Sequence, residues 1–281
     1  MESPKLEYIQ SKDNRTIKRA MSLKQRKQRQ KLGEYLVEGL RLVCDIAKNG
    51  VLRVLLVKES KCDAADIQAL IELAVTKGIS TYIVQDPLFA KLEDTQHSQG
   101  IIGIAQKPMH MLSHMEFADG LYIAIDGVQD PGNLGTIIRT AVAAGVRAVF
   151  LLKGTVDVYN EKCVRSTMSA LHHIPIFEDV GISEFYDVVK ENDITTYVTT
   201  LDNAMPYDEV QYSYKSMIIV GNEGNGVSSD ILQLADQGIT IPMYGNIESL
   251  NVSVAAALCM YKVRERLPLD CNAIYKSKCN I

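Results

Sequence analysis

Apolar residues recur along the chain with two different periods, and the two alternate. Leu134, Ile137, Ile138 and Ala141 stand at i, i+3, i+4 and i+7, the spacing that lines one face of a helix. That helix ends near Gly145, between short apolar runs at 121–125 and 148–152 that read as strands. The alternation continues with helices at 160–171 (stopped before Pro175) and 183–191. Strands follow at 195–200, 217–220 and 239–241, then a long helix at 250–267. Strands alternating with helices predict a parallel sheet covered on both faces, with any ligand at the carboxyl ends of its strands.

A smaller version of the pattern precedes it. Leu36, Leu40, Val43 and Ile46 predict a helix over 35–48, followed by a strand at 51–57 and a helix at 64–77 closed by Gly78. A strand at 81–84, a short helix opened by Pro87 and a strand at 101–105 complete a small α/β module. Residues 107–120 hold Pro108, three Met, two His and Gly120 without a period and read as a linker. The expected division is a basic segment with an α/β module at 1–106, a linker at 107–119, a larger α/β domain at 120–268 and a tail at 269–281. The expected class is therefore α/β.

Composition narrows the class of protein. With 281 residues, 47% hydrophobic and 23% charged, the chain can bury a real core without covalent staples. A disulfide miniprotein and a disordered chain are excluded. No apolar stretch near the start has the length of a signal segment, and no run of about 18 apolar residues suggests a membrane span. The six cysteines are scattered and none forms a C-x-x-C pair. His110 and His114 are four apart but lack a clear carboxylate or thiol partner. The expectation is a reduced, cytoplasmic protein without disulfides and without a metal site.

The net charge of −4 does not by itself suggest a nucleic-acid partner, but its distribution changes the picture. Ten Lys and Arg fall within the first 31 residues against Glu2, Glu7 and Asp13. The run, including Lys18, Arg19, Lys24, Arg26 and Lys27, reads either as a solvated helical face or flexible arm, or as a footprint for phosphate backbone. It has almost no interleaved aromatics, so base stacking is not indicated there.

Three loops follow three of the expected strands. The first is Asp126-Gly-Val-Gln-Asp-Pro-Gly-Asn-Leu-Gly-Thr-Ile-Ile-Arg139, in which Asn133 can cap the helix that follows. A cap does not explain Arg139, which lies off the apolar stripe. The second is Val220-Gly-Asn-Glu-Gly-Asn-Gly226. Its glycines do not follow the dinucleotide fingerprint and no Lys-Ser/Thr makes it a phosphate loop, which removes a nicotinamide dehydrogenase. The third is Ile241-Pro-Met-Tyr-Gly-Asn-Ile-Glu-Ser-Leu-Asn-Val-Ser253, opening a helix rich in small residues. Taken singly, each reads as turn and cap chemistry. None holds His or Cys, which disfavours protease-type nucleophilic catalysis.

Together and in order, D-x-x-x-D-P-x-N-x-G-x-x-x-R, V-G-x-E-x-x-G and I-P-M-x-G-x-x-x-S-L-N-V-S resemble the three motifs of the SpoU/TrmH family of RNA ribose 2′-O-methyltransferases, of the SPOUT superfamily. The likeness covers about 121–267. The segments Lys31-Leu-Gly-Glu-Tyr-Leu-Val-Glu-Gly39 and Ser98-Gln-Gly-Ile-Ile-Gly103 are similar to the substrate-binding extension of the ribosomal-RNA branch. One departure from the resemblance stands in Arg165-Ser-Thr-Met-Ser-Ala170, where relatives usually carry a glycine near the Ser169 position.

The resemblance implies a C-terminal trefoil-knot domain that binds S-adenosylmethionine and works as a homodimer. It implies that Asn133, Arg139, Glu223, Ser249 and Asn251 are the catalytic polar residues; our expectation is that Asn133 and Asn251 orient Arg139 and an RNA phosphate while Glu223 and Ser249 fix the loops around it. Thr200, Leu201, Gly221, Asn222, Gly224, Ile241, Met243, Leu250 and Ser253 fall at its donor-binding positions. Arg139 is the residue to which the family assigns the base, although an arginine is a strange base and can equally serve by stabilising the alkoxide. Arg165 reads as a further phosphate contact or as a structural residue. The expected substrate is large-subunit ribosomal RNA. A transfer RNA, or a non-catalytic role in RNA binding or ribosome assembly, is the alternative.

Overall fold

The computed structural model describes residues 6–94 and 98–267. Lys5, Cys271, Cys279 and the expected tail at 269–281 lie outside the described residues. The chain forms two compact units. The first comprises Met1–Met109 with Leu134–Arg139 and Val156–His173, the second His110–Asn133, Thr140–Thr155 and Ile174–Ile281.

In chain order the first unit contains β1 (Glu7–Ile9), α1 (Arg15–Ser22), α2 (Arg26–Leu32), β2 (Glu34–Glu38) and α3 (Leu40–Lys48). It continues with β3 (Leu52–Lys58), α4 (Ala65–Thr76), β4 (Ser80–Val84), α5 (Asp86–Phe89) and β5 (Ile101–Gln106). The strands form a mixed sheet of order β1-β4-β3-β5-β2. Here the expected helix over 35–48 is corrected. Tyr35–Glu38 is strand, antiparallel to β5, and the helix begins only after Gly39, whose φ of +103° breaks the run. Tyr35, Leu36 and Val37 are buried in succession, a consecutive burial that a helical reading of four spaced positions misses.

The basic N-terminal run is ordered helix, not a loose arm. Ile17, Ala20 and Leu23 bury fully against Leu88, Phe89 and Leu92 in one core. Arg29, 5% exposed, pairs with Asp157 and donates to the carbonyls of Leu23 and Lys24 at 2.8 and 2.9 Å. A buried guanidinium needs such a full set of acceptors. The same unit holds helix α7 (Glu161–Thr167), shorter than the expected 160–171. It stops because Met168 and Ser169 both adopt left-handed backbone, with φ +49° and +75°. A glycine at position 169 would sit there without strain. In this chain the Ser169 hydroxyl donates to Asp45 Oδ2 at 2.9 Å.

The second unit is built on β6 (Gly120–Ile125), β7 (Val149–Leu152), β8 (Ile176–Val180), β9 (Thr195–Thr199), β10 (Ala204–Pro206), β11 (Lys215–Val220) and β12 (Gln237–Thr240). Every pairing is parallel, in the order β10-β12-β9-β11-β6-β7-β8. Its other helices are α8 (Ile182–Glu191), α9 (Ser229–Leu234) and α10 (Val252–Arg266). Strands β8 and β10 and helix α9 carried too little apolar periodicity to be expected. Phe150, Phe177 and Phe185 centre the core of one face.

Helix α6 (Pro131–Ala143) carries the first motif. Its cap is Asp130, not Asn133 as expected: Pro131 takes the first helical position, where its missing N–H costs nothing, and Asp130 Oδ1 accepts from Asn133 N at 2.8 Å. The motif glycine Gly135 is required by close approach within the first unit. A Cβ there would lie 2.5 Å from Ser166 Cβ and 2.7 Å from the Cys163 carbonyl oxygen of α7.

Asp94, Glu161 and Arg165 form a charge cluster in the first unit. Arg165 Nη1 donates to Asp94 Oδ2 at 2.6 Å. Burial opposes ionisation of Asp94, but the hydrogen bond and charge of Arg165 outweigh it and hold that carboxyl below its ordinary range. Burial, then the charge of Asp94, pushes the Glu161 carboxyl up to about 7. A carboxyl raised on folding stabilises fully below its unfolded value and loses that contribution as pH rises through its folded one. Stability should therefore decline between about pH 4.5 and 7, and Glu161→Gln should flatten the decline and raise the melting temperature at the alkaline end. Parallel melting curves for the variant and the parent across this range would contradict the assignment.

Candidate active site

In a parallel sheet the loops after the strands gather along one edge. The loops after β6, β9, β11 and β12 begin at Asp126, Thr200, Gly221 and Ile241. All three motif loops are therefore on that edge, together with Thr200 and Leu201.

The second loop is a tight hairpin. Asn222 N donates to Gly226 O at 2.9 Å and Gly226 N returns to Asn222 O at 3.0 Å. A Cβ on Gly221 would lie 2.3 Å from the Val227 nitrogen, so only glycine permits the crossing. The Asn222 side chain ties the hairpin to itself and to the first loop. Its Oδ1 accepts from Gly224 N and Asn225 N at 2.9 and 3.0 Å, and its Nδ2 donates to Gly127 O at 2.8 Å.

Glu223 projects from the hairpin onto the first motif. It accepts from Gln129 N at 3.2 Å, from Asp130 N at 3.3 Å and from Asn133 Nδ2 at 3.0 Å. Partial burial works against its charge, but these donors outweigh it and hold the carboxyl below its ordinary value. On the other side Asn133 Oδ1 accepts from Asn251 Nδ2 at 3.0 Å. Asn251 caps α10, its Oδ1 taking Ser253 N at 2.9 Å and the Ser253 hydroxyl at 2.6 Å. One hydrogen-bonded line, Glu223–Asn133–Asn251–Ser253, thus joins the three motifs.

Other expected residues stand apart from that line. Arg139 is exposed on α6, six residues beyond Asn133 and so about 9 Å further along the helix. It has no ion-pair or hydrogen-bond partner among the described residues. Ser249 is exposed on the third loop. Leu201 is 77% exposed, while Ile241, Met243 and Leu250 are half-buried. Apolar side chains beside main-chain amides and carbonyls suit a nucleoside with a thioether-like arm, so these residues fit a sulfonium nucleoside donor. Residues that sequence reading passed over are Asp126, which accepts from Ser228 N at 2.7 Å, and Gln129, whose amide reaches Gly127 O and Gly154 O. The repeated Asp of the first motif was their one visible signal.

The basic candidates divide. Arg19 forks onto Glu34, Lys24 donates to the carbonyls of Lys91 and Glu93, and Arg165 holds Asp94. Lys18 pairs only with exposed Asp13, and Arg26 and Lys27 are exposed on α2. Among the described residues no cluster of His, Cys, Asp and Glu could hold a metal, and no helix is long and apolar enough to cross a membrane.

A parallel sheet whose edge loops are locked by two amides and a carboxylate defines a ligand site built largely from main chain, and comparison with known proteins gives it a family. Residues 120–261 match the SpoU rRNA Methylase family and residues 14–103 the MRM3-like substrate binding domain. The chain belongs to the SpoU rRNA methylase family. It is 36% identical over 92% of its length, and all of the relative's, to the 23S rRNA (guanosine(2553)-2′-O)-methyltransferase RlmP of Bacillus subtilis (strain 168). It is similar to an AdoMet-bound rRNA methyltransferase from Sinorhizobium meliloti, with 26% identity, a TM-score of 0.83 and 94% and 99% of the two chains covered. It is also similar to an RNA 2′-O ribose methyltransferase, at 28% identity, TM-score 0.77 and coverage of 92% and 98%.

The Glu223–Asn133 bond is testable without catalysis. Asn133→Asp would set a second carboxylate against Glu223, and like charges at that distance disfavour joint ionisation. In the parent the Gln129 and Asp130 amides should stay protected from hydrogen exchange at neutral pH. Protection should fade only as the pH drops below the ordinary carboxylate range. In the variant it should already be lost at neutral pH. Unchanged protection in Asn133→Asp would show that the bond does not hold the loops.

Proposed function

We propose that this protein transfers a methyl group from S-adenosylmethionine to a ribose 2′-hydroxyl of 23S ribosomal RNA. The observation that carries the reading is the Glu223–Asn133–Asn251 line, which assembles all three family motifs in one place. The ribosomal substrate is supported by the whole-length likeness to RlmP and by the matched substrate-binding module.

The donor, when bound, supplies a methyl group already activated on a sulfonium. The chain must hold that methyl in line with a weakly acidic hydroxyl, and near-attack positioning can supply roughly 7–11 kcal/mol. Thr200, Leu201, Gly221, Asn222, Gly224, Ile241, Met243, Leu250 and Ser253 form the donor-binding edge. Asn222 and Ser253 act by closing the loops, since their side chains already bond within them. The Arg139 guanidinium stabilises the negative charge developing on the 2′-oxygen. The proton passes to solvent or to a neighbouring RNA phosphate. Asn133, Glu223, Ser249 and Asn251 shape the loops around that point.

The module at 1–106 grips the RNA, with Lys18, Arg26 and Lys27 as its exposed cations, and the domain at 120–268 carries out transfer. A trefoil knot is supported by the sheet order, in which the late strand β12 lies between β9 and β10. A homodimer is supported by α10. Its inner side is buried through Ala256, Cys259, Met260 and Val263, yet Val254, Leu258 and Tyr261 remain 47%, 38% and 50% exposed at i, i+4 and i+7. Such a stripe buries its apolar area against a second copy. Leu258→Asp should yield monomers in sedimentation, whereas a dimer of unchanged affinity would remove α10 from the interface.

Labelled S-adenosylmethionine, offered with unmodified 23S ribosomal RNA and with bulk transfer RNA, should place label on ribose of the former. Ribose label on transfer RNA alone would overturn the substrate, and label on a base would overturn the chemistry. Arg139→Ala should lose transfer by at least about a hundredfold, as loss of one charge-stabilising donor does elsewhere, while calorimetry still shows donor binding. Normal turnover in that variant would remove Arg139 from the reaction.

A further inference from the structure

A cleft of about 370 Å³ opens in the first unit, between the start of α3 and the turn that ends α7. No residue of the three motifs lines it, and no step of methyl transfer uses it. Its walls combine three kinds of group. Leu42 and Met168 give an apolar surface, Arg41 and Arg165 bring two guanidiniums, and Gln99 and Glu38 supply an amide and a carboxylate.

The cations are available. Arg41 is exposed and has no partner among the described residues. Arg165 spends one N–H on Asp94, and a guanidinium has five. Gln99 uses its Oε1 to accept from Leu40 N at 2.7 Å, and its NH₂ has no protein partner among the described residues. Glu38 is the one carboxylate among the lining residues, and one of its oxygens already takes Asp94 N at 3.1 Å. Asp94 neutralises part of the Arg165 charge, but the remaining N–H groups of Arg165 and those of Arg41 can still donate to an anion.

The apolar wall is held in place against backbone preference. Met168 and Ser169 are consecutive non-glycine residues in left-handed conformation, an arrangement that persists only where the surroundings impose it. Here Ser169 is fastened to Asp45, and His172 to the buried Tyr35 hydroxyl. The turn leaves Met168 44% exposed at the cleft.

We propose that this cleft binds one unpaired nucleotide of the RNA substrate, its phosphate on Arg41 and Arg165, its base against Met168 and Leu42, and its polar edge on the Gln99 amide. The volume falls at the small end of the ~300–1,000 Å³ typical of ligand pockets, which admits a single nucleotide and not a stem. A flat base with a charged phosphate matches a site that is apolar on one wall and cationic on another, and unpaired bases are what proteins read in RNA. The inference rests on the reading of the protein as an RNA methyltransferase and adds where that RNA is recognised.

Arg41→Ala and Met168→Ala test it in the full-length protein, with unmodified 23S ribosomal RNA as probe. Both side chains are at the surface, so folding should survive, and melting temperature and S-adenosylmethionine affinity should match the parent. Each variant should raise KM for RNA with kcat unchanged. For Met168→Ala the rise should be roughly two- to tenfold, the range of a sulfur–ring contact. Arg41→Ala should also lower the salt dependence of RNA binding by about one phosphate contact. A photo-crosslinking residue at 168 should label an unpaired nucleotide. The proposal is overturned if the parent methylates RNA while both variants keep its KM, or if the crosslink falls in a stem or fails to form. If the parent neither binds nor methylates RNA, the underlying function fails and the cleft assignment falls with it, an outcome the parent alone reveals.

Discussion

The carboxamide of Asn133 is the point on which the site depends. Its nitrogen donates to Glu223 and its oxygen accepts from Asn251, so one small side chain joins loops from three separate strands. No other neutral side chain of that length offers a donor and an acceptor back to back. It is free for this because Asp130 has taken the task of capping α6. The cap, the proline at the first helical position and the bridging amide are thus one device spread over four residues. Glu223 completes it by taking two backbone amides at the start of the same helix, where the helix dipole also favours a negative charge.

A site tied in this way leaves few side chains for chemistry, and that matches what methyl transfer demands. The donor brings its own leaving group, so the protein needs shape, exclusion of competing geometries and one well-placed charge. Loops made of glycine, asparagine and short apolar residues supply shape through main chain. The one exposed cation of the motif set, Arg139, lies on the same helix as the bridging amide. Its position is therefore fixed by the backbone of α6 and not by side-chain partners of its own.

Much of this was legible in the chain. The parallel domain was visible because Leu134, Ile137, Ile138 and Ala141 give an unbroken helical period and the strands around them are continuous apolar runs. The three loops were visible because glycine, proline and asparagine cluster only there. What escaped was non-local. Tyr35 to Glu38 carries residues compatible with either period, and its pairing with β5, more than sixty residues away, decides for strand. Arg29 reads as one more surface cation until Asp157, 128 residues on, buries it. The basic run suggested phosphate contacts throughout, yet its members differ, since Arg19 and Lys24 are engaged internally while Lys18 meets only an exposed carboxylate. Charge is a property of sequence, but its availability is a property of the fold.

The turn at Met168 and Ser169 extends that argument from reading to function. A serine in left-handed backbone is costly in conformation, about 1–3 kcal/mol for a non-glycine residue. Two such residues in succession, fastened by Asp45 and flanked by the Tyr35–His172 contact, must be repaid by whatever the turn presents. In the core a turn of this kind would serve packing alone. This one places a flexible thioether at the mouth of a cleft that also holds Arg41 and Arg165 and whose α3 wall lies in the segment matched to a substrate-binding domain. Strain retained beside an apolar wall and two cations is better explained by a ligand than by the stability of the unit that carries it.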